Sequence, residues 1–349
     1  MTPRDGAILL GVESSCDEAA CALVRDGREV LANAVASQID LHTRYGGVVP
    51  EIASRAHVEQ INAVIAEALR SAGVGPEDIF AVAVTHQPGL IGSLLVGLTA
   101  AKTLAWIWDA PLVGVNHVYA HAYAPALDGE PIDYPAVALV ASGGHTALYR
   151  CKSPTDMTLL GTTIDDAAGE AFDKVASILQ LGYPGGPAID RAAKDGDPKA
   201  VNFPRTLLKG RSLDFSFSGI KTAVLYHVNG VPGVKYDHPR GLEHFSRREI
   251  RDVAASFQQA VVDVLATKIR RAVENTGAGT ILLGGGVAAN SALRAAAEAL
   301  AKKLNCTLRC PPLKYCTDNA AMIAALGWHY LRAGRTADLH LAATATVRR

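Results

Sequence analysis

Two stretches of the chain repeat one alternation of hydrophobic and polar positions. In residues 8–24, and again in 136–149, an apolar run leads through a short polar turn into a second apolar run. This pattern is typical of buried strands joined as a hairpin. Glycine and serine in the turns allow close approach to the backbone and leave N–H groups free for an anion. The repeat predicts two related domains whose turns face one nucleotide cleft.

Apolar runs and helical periodicity alternate along the rest of the chain. Buried strands are predicted at 79–84, 112–115, 136–141 and 280–283. A period of 3.6 residues predicts helices at 54–69, 93–108, 252–273, 291–304 and 317–331. Such an alternation is typical of α/β proteins.

The expected domain limits follow from the placement of glycine, proline and polar residues. The segment 125–135 is predicted to pass between a first lobe, residues 1–133, and a second lobe, residues 134–324. Polar stretches at 194–221 and 228–240 are expected to be insertions in the second lobe, near 194–245. The C-terminal segment 325–349 is expected to pack back on the first lobe.

A third glycine turn strengthens the prediction of a nucleotide site. Residues 280–294 read as a buried strand, the turn Gly284-Gly285-Gly286, and a helix with a good N-cap at Asn290. A helix N-terminus favours negative charge, although glycines also serve a plain strand-to-helix turn. Neither GxGxxG after an N-terminal strand nor GxxxxGK[ST] occurs, which argues against a Rossmann or P-loop site.

Two histidines indicate a metal site. His117 and His121 are four residues apart, so a helix places both on one face. Asp318, at the start of the last predicted helix, is a candidate third ligand. Two histidines and a carboxylate leave coordination positions open and suit Fe(II) or Zn(II). The alternatives are two surface histidines and a helix-capping aspartate. Val118 follows the first histidine where a zincin protease needs glutamate.

Carboxylates cluster at residues 164–174. Asp165 and Asp166 are expected to complement the dipole in a helix first turn. Asp173 lies further along, where the dipole gives no reason for an acid, and is predicted to accept hydrogen bonds from ribose hydroxyls. The glycine corner 183–190 precedes another helix and is again fit for close ligand approach.

Two groups of basic residues surround aromatic side chains. They read either as solvated surface or as contacts to an RNA phosphate backbone. The first comprises Arg205, Lys209, Arg211 and Lys221 around Phe215 and Phe217, and the second Arg240, Arg247, Arg248 and Arg251 around His244 and Phe245.

Composition limits the class of protein. The 349 residues are 49% hydrophobic, enough to bury two cores, and 34 basic residues balance 34 acidic ones. A neutral chain is not an autonomous nucleic-acid clamp. The six cysteines form no CxxC pair, and neither a signal peptide nor an apolar run of membrane-spanning length is evident. We therefore expect a soluble cytoplasmic enzyme that has no membrane partner.

Motifs along nearly the whole chain resemble those of the TsaD family of tRNA threonylcarbamoyladenosine synthases, bacterial type. They are GVESSCDE (11–18), YGGVVPE (45–51), the pair His117 and His121, SGGHT (142–146), IDDAAGEAFDK (164–174), YPGGP (183–187), DFSFSG (214–219) and CTDN (316–319). The resemblance implies an actin/Hsp70-like (ASKHA) fold of duplicated RNase H-like lobes with a nucleotide cleft. It also implies transfer of threonylcarbamoyl from threonylcarbamoyl-AMP to N6 of adenosine 37 in ANN-decoding tRNAs.

The resemblance also implies ligands and partners. One divalent metal, Fe(II) or Zn(II), would be held by His117, His121 and Asp318. The adenylate, and ATP as a further ligand, would be bound by Val140, Ala141, Ser142, Gly143, Gly144, Asp173, Gly186, Asp190 and Asn290. The implied partners are tRNA, a TsaB-like paralogue and a TsaE-like ATPase.

Four positions depart from the family pattern. Gln87 stands where the family usually has glycine, Val140 and Ala141 replace a leucine and a valine, and Ala288 replaces a serine. None removes a ligand, but Gln87 raises the question of whether its loop needs a glycine conformation.

The metal and the glycine turn indicate mechanistic roles, and alternative functions accompany them. The metal is expected to act as a Lewis acid, and His145 is a candidate general base because it ends a glycine turn. The main alternative function is an ATPase or small-molecule kinase of the same fold. A noncatalytic scaffold and a metalloprotease are weaker alternatives.

Overall fold

The computed structural model describes residues 3–127, 129–206, 210–237 and 239–346. These residues form two compact units. The first contains residues 3–132, 152–157 and 311–346, and the second contains residues 133–151 and 158–310.

The first unit is built around a mixed five-stranded sheet. Its strands are β1 (Ile8–Glu13), β2 (Glu18–Arg25), β3 (Glu29–Ser37), β4 (Ile79–Gln87) and β5 (Leu112–Asn116), in the order β3-β2-β1-β4-β5. Strands β1, β2 and β3 pair antiparallel, whereas β4 and β5 extend the sheet in parallel with β1. Its helices are α1 (Ile39–Thr43), α2 (Pro50–Ala72), α3 (Ile91–Ile107), α4 (His117–Tyr123) and, at the end of the chain, α10 (Ala320–Arg332).

The second unit repeats this strand order. Its strands are β6 (Ala136–Ala141), β7 (Thr146–Ser153), β8 (Asp156–Thr162), β9 (Thr280–Gly284) and β10 (Thr307–Arg309), in the order β10-β9-β6-β7-β8. Strand β6 pairs antiparallel with β7 and parallel with β9, as β1 does with β2 and β4. Its helices are α5 (Ala168–Ile178), α6 (Gly185–Ala193), α7 (Ser218–Asn229), α8 (Arg247–Thr276) and α9 (Ser291–Leu304). The predicted duplication of an α/β lobe is confirmed.

Helix ends follow capping signals more closely than hydrophobic periodicity. Helix α8 was expected from residue 252 but begins at Arg247, because Ser246 and Glu249 form a reciprocal capping box. Helix α2 begins early at Pro50, since proline is favoured in a first turn, and ends before Gly73 in a left-handed conformation. Asn319 caps α10 and delays its start to Ala320.

Helix α10 packs directly on the first sheet. A Cβ on Gly11 of β1 would collide with the carbonyl oxygen of Ala320, and one on Gly327 would lie 2.6 Å from Cβ of Ala83. Glycine at both positions therefore allows a backbone approach that larger residues would prevent. This contact fixes the segment just before α10, which carries Asp318.

A hydrogen bond between the Tyr123 hydroxyl and His329 Nε2 joins the end of α4 to α10. Burial, with help from Arg332 and Arg28, lowers the pKa of His329 to about 4. An unfolded histidine titrates near pH 6.5. Below that pH the histidine is protonated in the unfolded chain but stays neutral in the folded chain, which lowers the unfolding free energy. We expect this histidine to remove about 3 kcal/mol of unfolding free energy between pH 6.5 and pH 4.

Chemical unfolding at several pH values checks this expectation. His329→Gln should flatten the acid limb of the stability curve, whereas His340→Gln, at an exposed position, should leave it unchanged. An identical acid limb in the wild type and His329→Gln would show that His329 does not cause the loss.

Candidate functional site

The two predicted metal-binding histidines lie on a short buried helix at the end of a strand. Helix α4 starts directly after β5, and the Asn116 side chain caps it by accepting the N–H groups of Val118 and Tyr119. His117 and His121 are only 4% and 1% exposed. The alternative interpretation as surface histidines is therefore wrong.

Asp318 lies beside both histidines. Its Oδ1 is 3.0 Å from His121 Nε2 and 3.5 Å from His117 Nε2. Asp318 does not cap α10, because Asn319 accepts the N–H of Met322 at that end. The capping interpretation of Asp318 is wrong, and another reason is needed for a carboxylate here.

The cluster has the dimensions of a metal site. Ligand atoms of His117, His121 and Asp318 all lie within 4.8 Å of one another. Two ligands about 2.1 Å from a tetrahedral ion are about 3.4 Å apart, close to the distances between Asp318 and the histidines. The donor set suits Zn(II) or Fe(II) and leaves positions for substrate.

Glu13 orients the first histidine, and sequence reasoning did not identify it as a site residue. Its Oε2 lies 2.9 Å from His117 Nδ1 and also accepts the Thr85 hydroxyl, while Oε1 accepts the Ser15 N–H. The Ser15 hydroxyl lies 3.1 Å from the same His117 nitrogen. A carboxylate on Nδ1 directs Nε2 toward Asp318, as carboxylates do behind metal-binding histidines. The one sequence feature that pointed to Glu13 was its place in the motif GVESSCDE (11–18).

The electrostatics of the cluster favour a cation. Burial alone would lower the pKa of His117, but the carboxylates of Asp318 and Glu13 outweigh it and raise the pKa to about 9. Burial, with Asp318 and Asp17, raises the pKa of Glu18 to about 10. Burial lowers the pKa of His121. Acidic groups are thus in excess around Asp318, and a divalent cation would neutralise them.

Glu13→Gln should weaken metal affinity about tenfold, because a neutral amide holds the His117 tautomer less firmly than a carboxylate does. The affinity is measured by competition with a chromophoric chelator. Glu29→Gln, on the exposed side of β3, is the matched control. An unchanged affinity in Glu13→Gln would exclude an orienting role.

The second unit holds the predicted adenylate-binding turn between β6 and β7. The Ser142 N–H donates to the His145 carbonyl oxygen at 2.7 Å, and the Ser142 hydroxyl accepts the His145 N–H at 3.2 Å. A Cβ added to Gly143 or Gly144 would meet no atom within 4 Å, and both glycines are exposed. The backbone of this turn is therefore open to a ligand.

Close backbone contacts join this turn to its neighbours. A Cβ on Gly169, in the first turn of α5, would lie 2.5 Å from the Ser142 carbonyl oxygen. Gly285, at φ +84°, packs its backbone against Ala141, which directly follows Val140 in β6. The predicted turns at 142–144 and 284–286 thus lie side by side.

The remaining predicted adenylate ligands form two pairs. Asp173 Oδ1 accepts the Gly185 N–H at 2.7 Å, at the first residue of α6. The predicted glycine corner 183–190 therefore does not precede this helix but runs into it, and Gly186 lies in its first turn. Asp190 Oδ1 accepts the Ser291 hydroxyl at 2.7 Å and the Asn290 amide at 3.3 Å. A Cβ on Gly186 would meet no atom within 4 Å, so this glycine also offers an open backbone.

Asp165 and Asp166 do not lie in a helix first turn, and this prediction is wrong. Helix α5 begins only at Ala168. Asp165 instead accepts the side chains of Ser216 and Ser218 and the Phe217 N–H, at the start of α7. Asp166 pairs with Lys174 and Lys221.

The basic groups are partly engaged inside the second unit. Arg205 pairs with Asp263 at 2.9 Å, and Arg251 lies 3.8 Å from Asp195. Arg240 lies over the ring of Tyr236. Lys209 of the first group falls outside the described residues, so contact between this group and an RNA phosphate backbone stays a prediction.

Gln87 needs no glycine conformation. It ends β4 in register with Asn116, and its φ lies outside the left-handed region. The departure from the family pattern therefore requires no backbone strain at this residue.

Duplicated lobes of this topology define the actin/Hsp70-like class of proteins. Solved structures agree on the fold. The structure of HypF from T. kodakarensis has a TM-score of 0.59 at 14% identity, and the match covers 95% of this chain and 48% of the HypF chain. Component A of the Acidaminococcus fermentans (R)-2-hydroxyglutaryl-CoA dehydratase has a TM-score of 0.51 at 16% identity. That match covers 93% of this chain and 98% of the component A chain.

Sequence comparison gives the family. The TsaD family, tRNA N6-adenosine threonylcarbamoyltransferase, matches residues 29–325. A relative of that name in Symbiobacterium thermophilum is 54% identical, over 96% of this chain and 94% of the relative. Another, in Anaeromyxobacter dehalogenans strain 2CP-1, is 52% identical, over 94% of this chain and 96% of the relative. The chain belongs to the TsaD family and is a transferase that acts on tRNA.

The helices of the described residues include none that combines the length and the apolar character needed to cross a membrane.

Proposed function

We propose that the chain transfers threonylcarbamoyl from threonylcarbamoyl-AMP to N6 of adenosine 37 in ANN-decoding tRNAs, with the help of one divalent metal, Fe(II) or Zn(II). The family supplies the transferred group and the acceptor class. The observation that carries the metal dependence is the buried cluster of His117, His121 and Asp318 with Glu13 behind it. Since tRNA is the acceptor, we assign the reaction to the cytoplasm.

Donor binding is assigned to the second unit. Asp190 uses Oδ1 for Ser291 and Asn290, while Oδ2 receives no hydrogen bond from any described residue. A carboxylate oxygen of this kind suits the hydroxyls of a ribose. The open amides of Gly143 and Gly144 suit the phosphate, and Gly186 lets the nucleoside lie against the backbone. ATP, with the same ribose and α-phosphate, would fit these groups too.

The transfer forms one bond and breaks another. The N6 amine attacks the carbamoyl carbon, a C–N bond forms, the C–O bond to AMP breaks, and the amine loses a proton. A divalent ion at His117, His121 and Asp318 would supply a Lewis acid for the carbamoyl or phosphate oxygen. Amides of the turn 142–145 would stabilise charge that develops on the leaving phosphate. His145, at the end of this turn, remains our candidate for the proton acceptor.

Two protein partners complete the proposal: a TsaB-like paralogue and a TsaE-like ATPase. Both come from the resemblance to bacterial members of the family, and tRNA is the third partner. The ATPase or kinase alternative predicts ADP release with no modified tRNA. Membership in a family of tRNA threonylcarbamoyltransferases argues against it.

A reconstituted transfer assay tests the proposal. Purified protein, the two partners, threonylcarbamoyl-AMP and unmodified ANN-decoding tRNA are combined, and nucleosides are read by mass spectrometry. We expect threonylcarbamoyladenosine from the wild type and none from His117→Ala. Absence of product from the wild type, with active partners and demonstrated adenylate binding, would overturn the proposal.

A further inference from the structure

We propose that Gln258 of α8 is a positioning residue for the donor site, because it holds the Asn290 side chain and, through it, Asp190. The proposal rests on the function assigned to Asp190 above. Gln258 is not proposed to contact the donor itself.

The Asn290 side chain is fixed from three sides. Its Oδ1 accepts the Leu293 N–H at 2.9 Å and so caps α9. The cap points Nδ2 the other way, where it donates to Gln258 Oε1 at 2.7 Å and to Asp190 Oδ1 at 3.3 Å. Both amide hydrogens are used inside the protein. Asn290 thus acts on a ligand by holding Asp190.

Gln258 accepts the shortest hydrogen bond of the Asn290 side chain from a rigid position. It is buried, at 7% exposure, near the middle of the 30-residue helix α8. Its neighbour Phe257 packs edge-on against Phe172 of α5, with ring centroids 5.2 Å apart. An acceptor held this firmly fixes where the second Asn290 hydrogen points, namely at Asp190.

Loss of the Gln258 oxygen would leave a buried amide hydrogen without a partner. A buried unsatisfied donor is costly, so the Asn290 side chain would turn away from its present position. Asp190 would then keep only the Ser291 hydroxyl, and its ligand-facing Oδ2 would lose its fixed direction. The expected consequence is weaker donor binding with little effect on the chemical step.

Four variants test the role of Gln258. Gln258→Met has a similar shape without the oxygen, and Gln258→Asn keeps the amide but withdraws it by one methylene. Gln258→Glu retains an acceptor. The matched control is Gln259→Met, which removes the bond from Gln259 to Asp263 on the same helix. Steady-state transfer is measured with threonylcarbamoyl-AMP and tRNA varied separately.

We expect Gln258→Met and Gln258→Asn to raise the KM for the adenylate about tenfold and to leave kcat and the KM for tRNA within twofold. Gln258→Glu should stay within about threefold of the wild type, and Gln259→Met should match it. Should the methionine variant fail to fold, the asparagine variant carries the same comparison.

Three outcomes would overturn the inference. An unchanged adenylate KM in the folded variants is the first. The second is an equal fall in kcat and in affinity for both substrates, which would indicate general damage. The third is a wild type that binds no adenylate, and only this result removes the proposed function as well.

Discussion

Asp318→Asn is expected to remove the bound metal and to lower the rate of threonylcarbamoyl transfer by about 10³-fold. The variant keeps the shape of the side chain but removes the charged oxygen that faces both histidines. Lewis-acid stabilisation is worth several kcal/mol, and about 4 kcal/mol corresponds to three orders of magnitude in rate. Metal content by atomic emission and single-turnover transfer, measured on the same preparation, check this expectation.

Asp338→Asn is the matched control for that experiment. Asp338 is an exposed aspartate of the first unit that accepts the His340 N–H. It should retain metal and rate. Full metal content together with a wild-type rate in Asp318→Asn would contradict the assignment of the site.

Asp190→Ala is expected to raise the KM for threonylcarbamoyl-AMP about 100-fold. Hydrogen bonds to a charged group contribute about 1.5–3 kcal/mol, and the alanine variant removes both carboxylate oxygens. It also leaves the Ser291 hydroxyl and one Asn290 hydrogen without their acceptor. Isothermal titration with AMP and steady-state transfer measure the loss.

Asp195→Ala serves as the control in the second unit. Asp195 has an exposed side chain that lies 3.8 Å from Arg251. Adenylate binding should be unaffected there. A KM for Asp190→Ala close to that of the control would exclude Asp190 from the donor site.

The fold was predictable because hydrophobic runs report directly on burial. Strands such as 136–141 and 280–283 are buried along their length, and the repeated hairpins gave the duplication. Strands β3 and β8 escaped prediction because each has a single buried residue, so neither has the continuous buried run that marks the predicted strands. Helix α8 began earlier than expected because the capping box at Ser246 was overlooked.

The site was predictable only as far as spacing along the chain reaches. Four-residue spacing placed His117 and His121 together on a helix, and the motif CTDN (316–319) identified Asp318 as the third candidate ligand. The bond from Glu13 to His117 joins residues 104 positions apart, and the bond from Gln258 to Asn290 joins residues 32 apart. No periodicity links such pairs, so only the folded structure shows them.

Asp165 shows the same limit in the opposite direction. Its position before α5 suggested a role in the dipole of that helix. The side chain instead accepts donors at the start of α7, more than 50 positions away in the sequence. A local rule was outweighed by a long-range contact that offers several hydrogen bonds to one carboxylate.

The metal dependence of the transfer is tested most directly by measuring metal content and transfer on the same wild-type sample. Protein in complex with its partners is stripped with a chelator, assayed with threonylcarbamoyl-AMP and tRNA, and then assayed again after addition of Zn(II) or Fe(II). We expect one metal per chain before treatment, loss of transfer after stripping, and recovery when the ion is returned. Full transfer by the metal-free protein would contradict this expectation.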